Sequence, residues 1–405
     1  MLEIRHQLSL AQDNKVAFTP RPIEPGKPSV RPPAQASERW FPQRYVNAAQ
    51  NGRLPVALPS TTWGARWTID VSPTAMAVLR DKDRIVVQGG GWRLLGVDGH
   101  QLAEGPGGPS SFSLDEGAQQ FYLINTTSYL EAHALSTGDL VYQSPLLTNE
   151  RFVWPLVVNL GKRLLMAGVE QPAAGHTPRP GTRSEVDMLE FAPKFEVDEY
   201  KQILSLTRGE ILHVNRPEMI FAAANDTIYA AAPDYLIVAG GGLDVRAVFQ
   251  GQFKPLWLSV DESGYMYLIV EAGGILHFWV VSPEGKRVVQ VTLAKEQQDI
   301  LQPPIVGYDH RVYLAAMNTI LAFNADGSPA WQHAMQGPIG GAAVTPDHKL
   351  LVAAGSELAI LDAQGQTIGE QRFPGEALTT VPVLTQDGLL IGSQSRVHSL
   401  VANGK

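Results

Sequence analysis

A glycine-centred turn recurs along this chain about every forty residues, and that period constrains the fold more than any other feature. Its copies are Asp98-Gly99, Thr137-Gly138, Glu284-Gly285, Asp326-Gly327, Gln364-Gly365 and Asn403-Gly404. Two-residue hairpins need positive φ, which Gly and Asn tolerate best, so each copy marks a strand reversal. The stretch between Gly138 and Gly285 leaves room for two further turns, expected near Ala192-Pro193 and near Gly241-Gly242. Within one period, "AAVTPDHKLLVAAGSELAILDAQGQTIGEQRF" reads as four strands. They reverse at Pro346-Asp347-His348, at Gly355-Ser356 and at Gln364-Gly365. The preceding "PIVGYDHRVYLAAMNTILAFNADGSPAWQHAM" aligns with it strand for strand, and the whole pattern counts eight units.

The eighth unit, "TTVPVLTQDGLLIGSQSRVHSLVANGK", stops just after its third strand. Far upstream, "ARWTIDV" (65–71) alternates apolar Trp67, Ile69 and Val71 with polar Thr68 and Asp70, the period of a half-buried strand. It has no hairpin partner of its own. Placed as the missing fourth strand, it puts Trp67 where Trp331 stands in "SPAWQHAM". Propellers close by sharing one blade between both chain ends, which keeps exposed sheet edges to a minimum. The expected fold is therefore all-β: an eight-bladed β-propeller of four-stranded antiparallel blades, closed by an N-terminal strand. The expected division is a Pro-rich extended arm over 1–39 and the propeller over 40–405.

The blade ends "AHALSTGDLVY" (132–142) and "LAFNADGSPAW" (321–331) resemble the repeat of quinoprotein-like propellers. The lead-in "WFPQRYVNAAQNGRLPVALPSTTWGARW" (40–67) is similar to that family's approach to its closing strand. The resemblance implies the propeller fold and leaves function open, because the family holds both dehydrogenases and non-catalytic scaffolds. Its catalytic branch binds pyrroloquinoline quinone, usually with calcium, over an adjacent-cysteine disulfide. This chain contains no cysteine. Its docking signature is reduced to "TGDLVY" and "DGSPAW", and no central-loop carboxylate has Asn and Asp neighbours in ligand-like spacing. The resemblance thus points to the non-catalytic branch, which works by binding protein partners. No cofactor is expected.

Composition excludes other classes. A formal net charge of −8 with no long Lys/Arg cluster argues against a nucleic-acid partner, which needs a basic surface. With 44% hydrophobic residues the chain can bury a large core, yet no apolar run is long enough for a transmembrane helix. The opening "MLEIRHQLSLAQDNK" lacks the apolar core of a signal peptide. The expected compartment is the cytoplasm if Met1 is native, and the periplasm or cell envelope if a leader was removed.

Other candidate sites have plainer explanations. His133, His277 and His398 fall at related places in third strands and His333 in a fourth, without metal-ligand spacing. Asp98, Asp326 and Asp362 sit where turn hydrogen bonding needs an aspartate. "LSVDESGYMYL" (258–268) resembles the Asp-box of sialidase-type propellers but carries one extra residue before Gly264, and reads as a polar turn. The triple glycines at 89–91 and 240–242 are turns, since no helix follows to build a dinucleotide cradle.

Two departures from the repeat are the places to look for function. One is the insertion "EQPAAGHTPRPGTRSEVDMLEFAPKFEVDEY", whose 171–183 portion falls between second and third strands and carries His176, Arg179 and Arg183. The other is the arm "FTPRPIEPGKPSVRPPAQ", which includes Arg21 and Arg31, favours extended conformations and needs a surface to lie on. The sequence therefore reads as a non-enzymatic protein-interaction scaffold, a subunit of a larger assembly that contacts proteins or neighbouring subunits. Trp92, Tyr129 and Tyr235, beside second-to-third-strand loops, join those residues as partner-binding candidates. Two alternatives remain: a quinone- or metal-dependent oxidoreductase with a central-channel site, and a carbohydrate-binding propeller.

Overall fold

The computed structural model describes residues 21–27, 31, 52–71, 77–106, 112–115, 119–124, 130–143, 150–158, 164–170, 185–191, 200–207, 220–225, 227–240, 245–385 and 388–403. Three strands precede the repeats: β1 (Arg21–Pro22), β2 (Glu24–Pro25) and β3 (Trp63–Asp70). The first sheet holds β4 (Ala77–Arg80), β5 (Arg84–Gln88), β6 (Gly91–Gly96) and β7 (Gln101–Pro106). The second holds β8 (Phe112–Asp115), β9 (Gln120–Ile124), β10 (Leu130–Ala134) and β11 (Leu140–Gln143). The third holds β12 (Glu150–Val158), β13 (Leu164–Glu170), β14 (Glu185–Phe191) and β15 (Tyr200–Thr207). In the fourth are β16 (Ile220–Ala224), β17 (Thr227–Ala232), β18 (Tyr235–Gly240) and β19 (Val245–Gln250). The fifth contains β20 (Lys254–Val260), β21 (Met266–Ala272), β22 (Ile275–Val281) and β23 (Lys286–Thr292). The sixth contains β24 (Ile305–Val306), β25 (Val312–Ala316), β26 (Thr319–Phe323) and β27 (Pro329–Ala334). The seventh runs β28 (Ile339–Val344), β29 (Leu350–Ala354), β30 (Glu357–Leu361) and β31 (Thr367–Arg372). The eighth joins β32 (Val383–Thr385), β33 (Gly388–Gly392) and β34 (Arg396–Ala402) to β3.

The four strands named in each sheet are antiparallel neighbours in sequence order; β1 and β2 add a parallel fifth strand to the fourth and fifth sheets, and the eighth draws its outer strand from the other end of the chain. β3 pairs with β34 from Trp63 opposite Ala402 to Asp70 opposite Arg396. Burial follows strand rank. The inner three strands of the seventh sheet are almost wholly buried, whereas its outer strand alternates exposed and half-buried residues. β8 lies against β12, β12 against β16, β16 against β20 and β24 against β28, while β32 and β33 lie against β4.

The recurring turns are wider than two-residue hairpins. Gly96 N–H bonds to the His100 carbonyl and Gly99 N–H to Gly96, enclosing three residues with Gly99 last at φ 86°. Ser282 to Lys286, Asn324 to Ser328 and Asp362 to Gln366 repeat the arrangement, each with a left-handed Gly. Such loops combine a type I turn with a glycine bulge, which explains the register shift one residue before each of them. The expected turns at Ala192-Pro193 and Gly241-Gly242 lie outside the described residues, between strands that do pair.

These glycines also let one sheet dock on the next. The Trp331 indole lies where a Cβ of Gly365 would stand, at 2.6 Å, and its Nε1–H bonds to the Ala363 carbonyl at 2.9 Å. Trp67 repeats this across the chain ends: its ring is 2.7 Å from the same point at Gly99, and its Nε1–H meets the Val97 carbonyl at 3.0 Å. The contact ties the eighth sheet to the first. Phe249 and Val289 fill the equivalent place over Gly285 and Gly327.

Trp67→Ala should destabilise the protein by about 2–3 kcal/mol, somewhat less than the roughly 3–5 kcal/mol of a fully buried Trp, because this ring is half-buried. Urea unfolding should show Trp331→Ala costing a similar amount. A loss confined to Trp331→Ala would mean that the first and eighth sheets are not docked as the others are.

Candidate functional site

The N-terminal segment runs along the ends and edges of the sheets and brings its charged groups to the inner strands. β1 pairs in parallel with β19, Arg21 opposite Phe249, and β2 pairs in parallel with β23, Glu24 opposite Lys286. Outer strands are edges with spare hydrogen-bonding groups, which an extended Pro-rich chain can satisfy without becoming part of a core. Ile23 N–H donates to the Gln250 carbonyl at 2.8 Å and Gly26 N–H to the Arg287 carbonyl at 2.8 Å. Gly26 permits this approach, since a Cβ there would meet Lys286 Cβ at 2.9 Å.

Further on, Arg31 reaches the turn between β20 and β21. Its guanidinium pairs with Asp261 Oδ2 at 2.7 Å, bonds to the Tyr267 hydroxyl and lies over the Tyr265 ring, 4.3 Å from its centroid. Asp261 is fully buried, and its other oxygen accepts the amides of Ser263 and Tyr265 at 2.9 and 3.0 Å. Tyr267 donates to Asp261 Oδ2 at 2.8 Å. Burial, reinforced by the Asp261 charge, pushes the Tyr267 phenol well above its ordinary value, so it keeps the proton that it donates.

Residues 52–54 then lie on the edge of β28 away from β29: Leu54 N–H bonds to the Val344 carbonyl at 2.7 Å, and Val344 N–H to the Gly52 carbonyl at 2.9 Å. Between them Arg53 turns inward. Its guanidinium donates to the buried carbonyls of Val306 at 2.7 Å and Gly307 at 2.9 Å and pairs with Glu262. Its charge lies 5.1 Å from the centroid of Tyr308, whose hydroxyl donates back to the Leu54 carbonyl. Arg53 and Arg31 thus occupy neighbouring carboxylates, Glu262 and Asp261, on a single turn of the fifth sheet.

At the first sheet, Asp81 Oδ1 is likewise engaged by the amides of Asp83 and Arg84. Burial raises its carboxyl above the ordinary range against the opposing pull of those amides. Among the described residues no group of three or more His, Asp and Glu is placed to hold a metal ion. The carboxylates at these turns are ligated by their own chain.

Of the sequence-predicted residues, Trp92 is 5% exposed and forms an inter-sheet contact. It packs on Phe121 and His133 at 5.1 and 4.9 Å between centroids and reaches toward Gly138, a place where β7 offers only Ala103. Its edge also borders a cavity of about 440 Å³ next to Gly89, Arg93 and Glu104. Tyr235 is half-buried at the head of β18, opposite Gln250, whose backbone holds the arm. Arg21 is exposed on β1, and Arg31 is committed to Asp261. Tyr129, His176, Arg179 and Arg183 lie outside the described residues. The histidines have structural roles: His133 and His333 bond through Nδ1 to the carbonyls of Gly138 and Gly365, and His277 meets Thr292. Asp98, Asp326 and Asp362 accept amides of their own turns.

His398 belongs to a polar seam beside β3. Its Nε2 meets Glu376 Oε2 at 2.8 Å, Ser393 Oγ donates to the same oxygen at 2.5 Å, and Arg396 links Glu376 to Asp70 at 3.0 Å each. Burial alone would raise the Glu376 carboxyl; the hydrogen bonds from Ser393, His398 and Arg396 together hold it below the ordinary range.

No protein-family model matches the sequence, and no curated protein matches it. Solved structures share the fold. The quinohemoprotein alcohol dehydrogenase from Comamonas testosteroni superposes with a TM-score of 0.66 at 10% identity, over 91% of this chain and 82% of its own. BamB from Moraxella catarrhalis gives 0.59 at 13% identity, over 84% and 100%. A europium-containing methanol dehydrogenase gives 0.62 at 9% identity, over 90% and 98%. These likenesses, at 9–13% identity, show a shared all-β architecture of four-stranded antiparallel sheets, that of a β-propeller.

Two outcomes follow for this region. Arg53→Met should lower stability by about 2–4 kcal/mol, because the buried carbonyls of Val306 and Gly307 lose their donor; urea unfolding reads this. Glu376 has a depressed folded-state pKa, so its contribution is complete above the unfolded value and disappears as pH falls through the folded one. Thermal melts should therefore show Glu376→Gln less stable than wild type at pH near 7, with the gap closing in acid.

Proposed function

We propose that the chain is a non-enzymatic protein-interaction scaffold built on an eight-bladed propeller, residues 40–405, that closes on itself through β3, with residues 1–39 as an arm. Closure is supported by the pairing of β3 with β34, by β32 and β33 against β4, and by Trp67 repeating the Trp331 contact at Gly99. Proteins, rather than a small substrate, are the proposed partners, met on the rim loops that carry Tyr129, His176, Arg179 and Arg183 and along the arm.

One observation carries the non-enzymatic reading: among the described residues, the carboxylates at the turns after β20 and β4 are already engaged. Metal-assisted quinone chemistry needs carboxylate oxygens free to coordinate calcium. Here Asp261 and Glu262 are taken by Arg31 and Arg53, and Asp81 by backbone amides. Removing Arg31 from Asp261 would leave a fully buried carboxylate unpaired, which is costly. The same chain segment that would have to leave also covers β28.

The test is reconstitution of the purified full chain with pyrroloquinoline quinone and calcium. A scaffold should take up no quinone by absorption after desalting and should reduce no dye with alcohols or sugars. Proximity cross-linking in the producing cells should link rim lysines and the arm to other proteins. Stoichiometric quinone uptake with dye reduction would overturn the reading in favour of an oxidoreductase.

A further inference from the structure

Arg31 is not part of the strand pairing that holds residues 21–26, yet its side chain is only 7% exposed. The pocket around it is organised by the fifth and sixth sheets. The turn amides of Ser263 and Tyr265 fix one oxygen of Asp261, which aims the other at Arg31. Tyr267 is rooted in the core on β21, and His310 is held in a left-handed turn at φ 62° with Nδ1 3.7 Å from Asp261 Oδ2. The guanidinium carbon lies over the Tyr265 ring, 4.3 Å from its centroid, and 5.6 Å from that of Tyr267. A carboxylate at 2.7 Å together with an aromatic ring 4.3 Å from the guanidinium carbon suits Arg better than Lys, whose ammonium is a compact and strongly hydrated point charge.

A second anchor lies at the junction of the fourth and fifth sheets. Ile23 joins the apolar cluster around Phe249 and Phe253, and its Cδ1 would be 3.3 Å from a Cβ on Gly251, so the glycine leaves room for it. Backbone groups of Gln250, Gly285 and Arg287 bind the chain on either side.

We propose that Asp261, Tyr265, Tyr267 and His310 form an arginine-recognition pocket. Together with the Ile23 slot it makes a two-anchor docking site for an extended, proline-punctuated peptide with Ile and Arg spaced as Ile23 and Arg31 are. The arm is the site's intramolecular occupant. A tether keeps the local concentration of such a ligand high, so an outside segment of the same chemistry binds only where the arm has let go. An extended Pro-rich chain suits this exchange because it is already stiff and loses little entropy on docking. As a partner site this rests on the scaffold reading; the chemistry of the pocket is tested apart from it.

The experiment uses the full chain with Ile23→Asp and Arg31→Ala, which release the arm at both anchors. Its probe is a fluorescein-labelled peptide of residues 19–33, followed by anisotropy. The released chain should bind this peptide about tenfold or more tighter than wild type, and replacing the peptide's Arg31 by Lys should weaken binding about tenfold. Because that substitution is in the peptide, it cannot disturb folding of the protein. Equal binding of the Arg, Lys and Ala peptides, or none by a released chain with an unchanged circular dichroism spectrum, would overturn the proposal. If the double variant does not fold, Arg31→Ala alone serves. Millimolar methylguanidine should raise its melting temperature while methylammonium does not, and no difference between them sinks the idea. Arginine-dependent peptide binding in a chain that also oxidises substrate with quinone would remove the scaffold reading and leave the pocket standing. Absence of both would do the reverse.

Discussion

An indole resting on a glycine that has no side chain holds one sheet of this protein against the next. The contact works because the turn glycine meets two demands at once: positive φ for the bulge, and empty space for the neighbouring outer strand. Adding a Cβ would break both. The docking residue can vary, Trp at 67 and 331, Phe at 249, Val at 289, because the surface it covers is backbone. Where β7 supplies only Ala103, Trp92 on the adjacent strand extends to the same glycine edge. Repeat proteins tolerate such drift when each unit keeps its contact with the next.

The N-terminal segment follows a different logic. Its backbone satisfies edge strands at β19 and β23 and the open edge of β28, and its arginines pair with Asp261 and Glu262 on one turn. A buried carboxylate such as Asp261 is tolerable only with a cation and full hydrogen bonding, and Arg31 with Tyr267 provides both. The segment therefore connects outer strands, inner strands and β3 in one continuous stretch of chain.

Much of the fold was legible because its determinants are local and periodic. Turn glycines, alternating strands and the unpaired "ARWTIDV" led to the four-stranded sheets and to the pairing of β3 with β34. The turn type was misread by one residue, since Gly99 looks the same in a two-residue hairpin as in a bulged three-residue loop until the hydrogen bonds are seen. The site was far less legible. Arg31 and Asp261 are brought together only by the tertiary path of the arm, across more than two hundred positions. Asp261 lies in the polar turn of "LSVDESGYMYL", and one of its oxygens serves that turn while the other serves Arg31. Trp92 followed a loop and so suggested the rim, but sequence does not show that the neighbouring outer strand lacks its own docking aromatic.

Native-state hydrogen exchange tests most directly the claim that both chain ends are joined in a single cooperative unit. The amides of β3 and β34 should exchange only by the same global opening as those of β29 and β30, with equal dependence on denaturant. If β3 instead exchanges by a local opening that leaves the seventh sheet protected, the chain ends are not locked together and the closed-ring account is wrong.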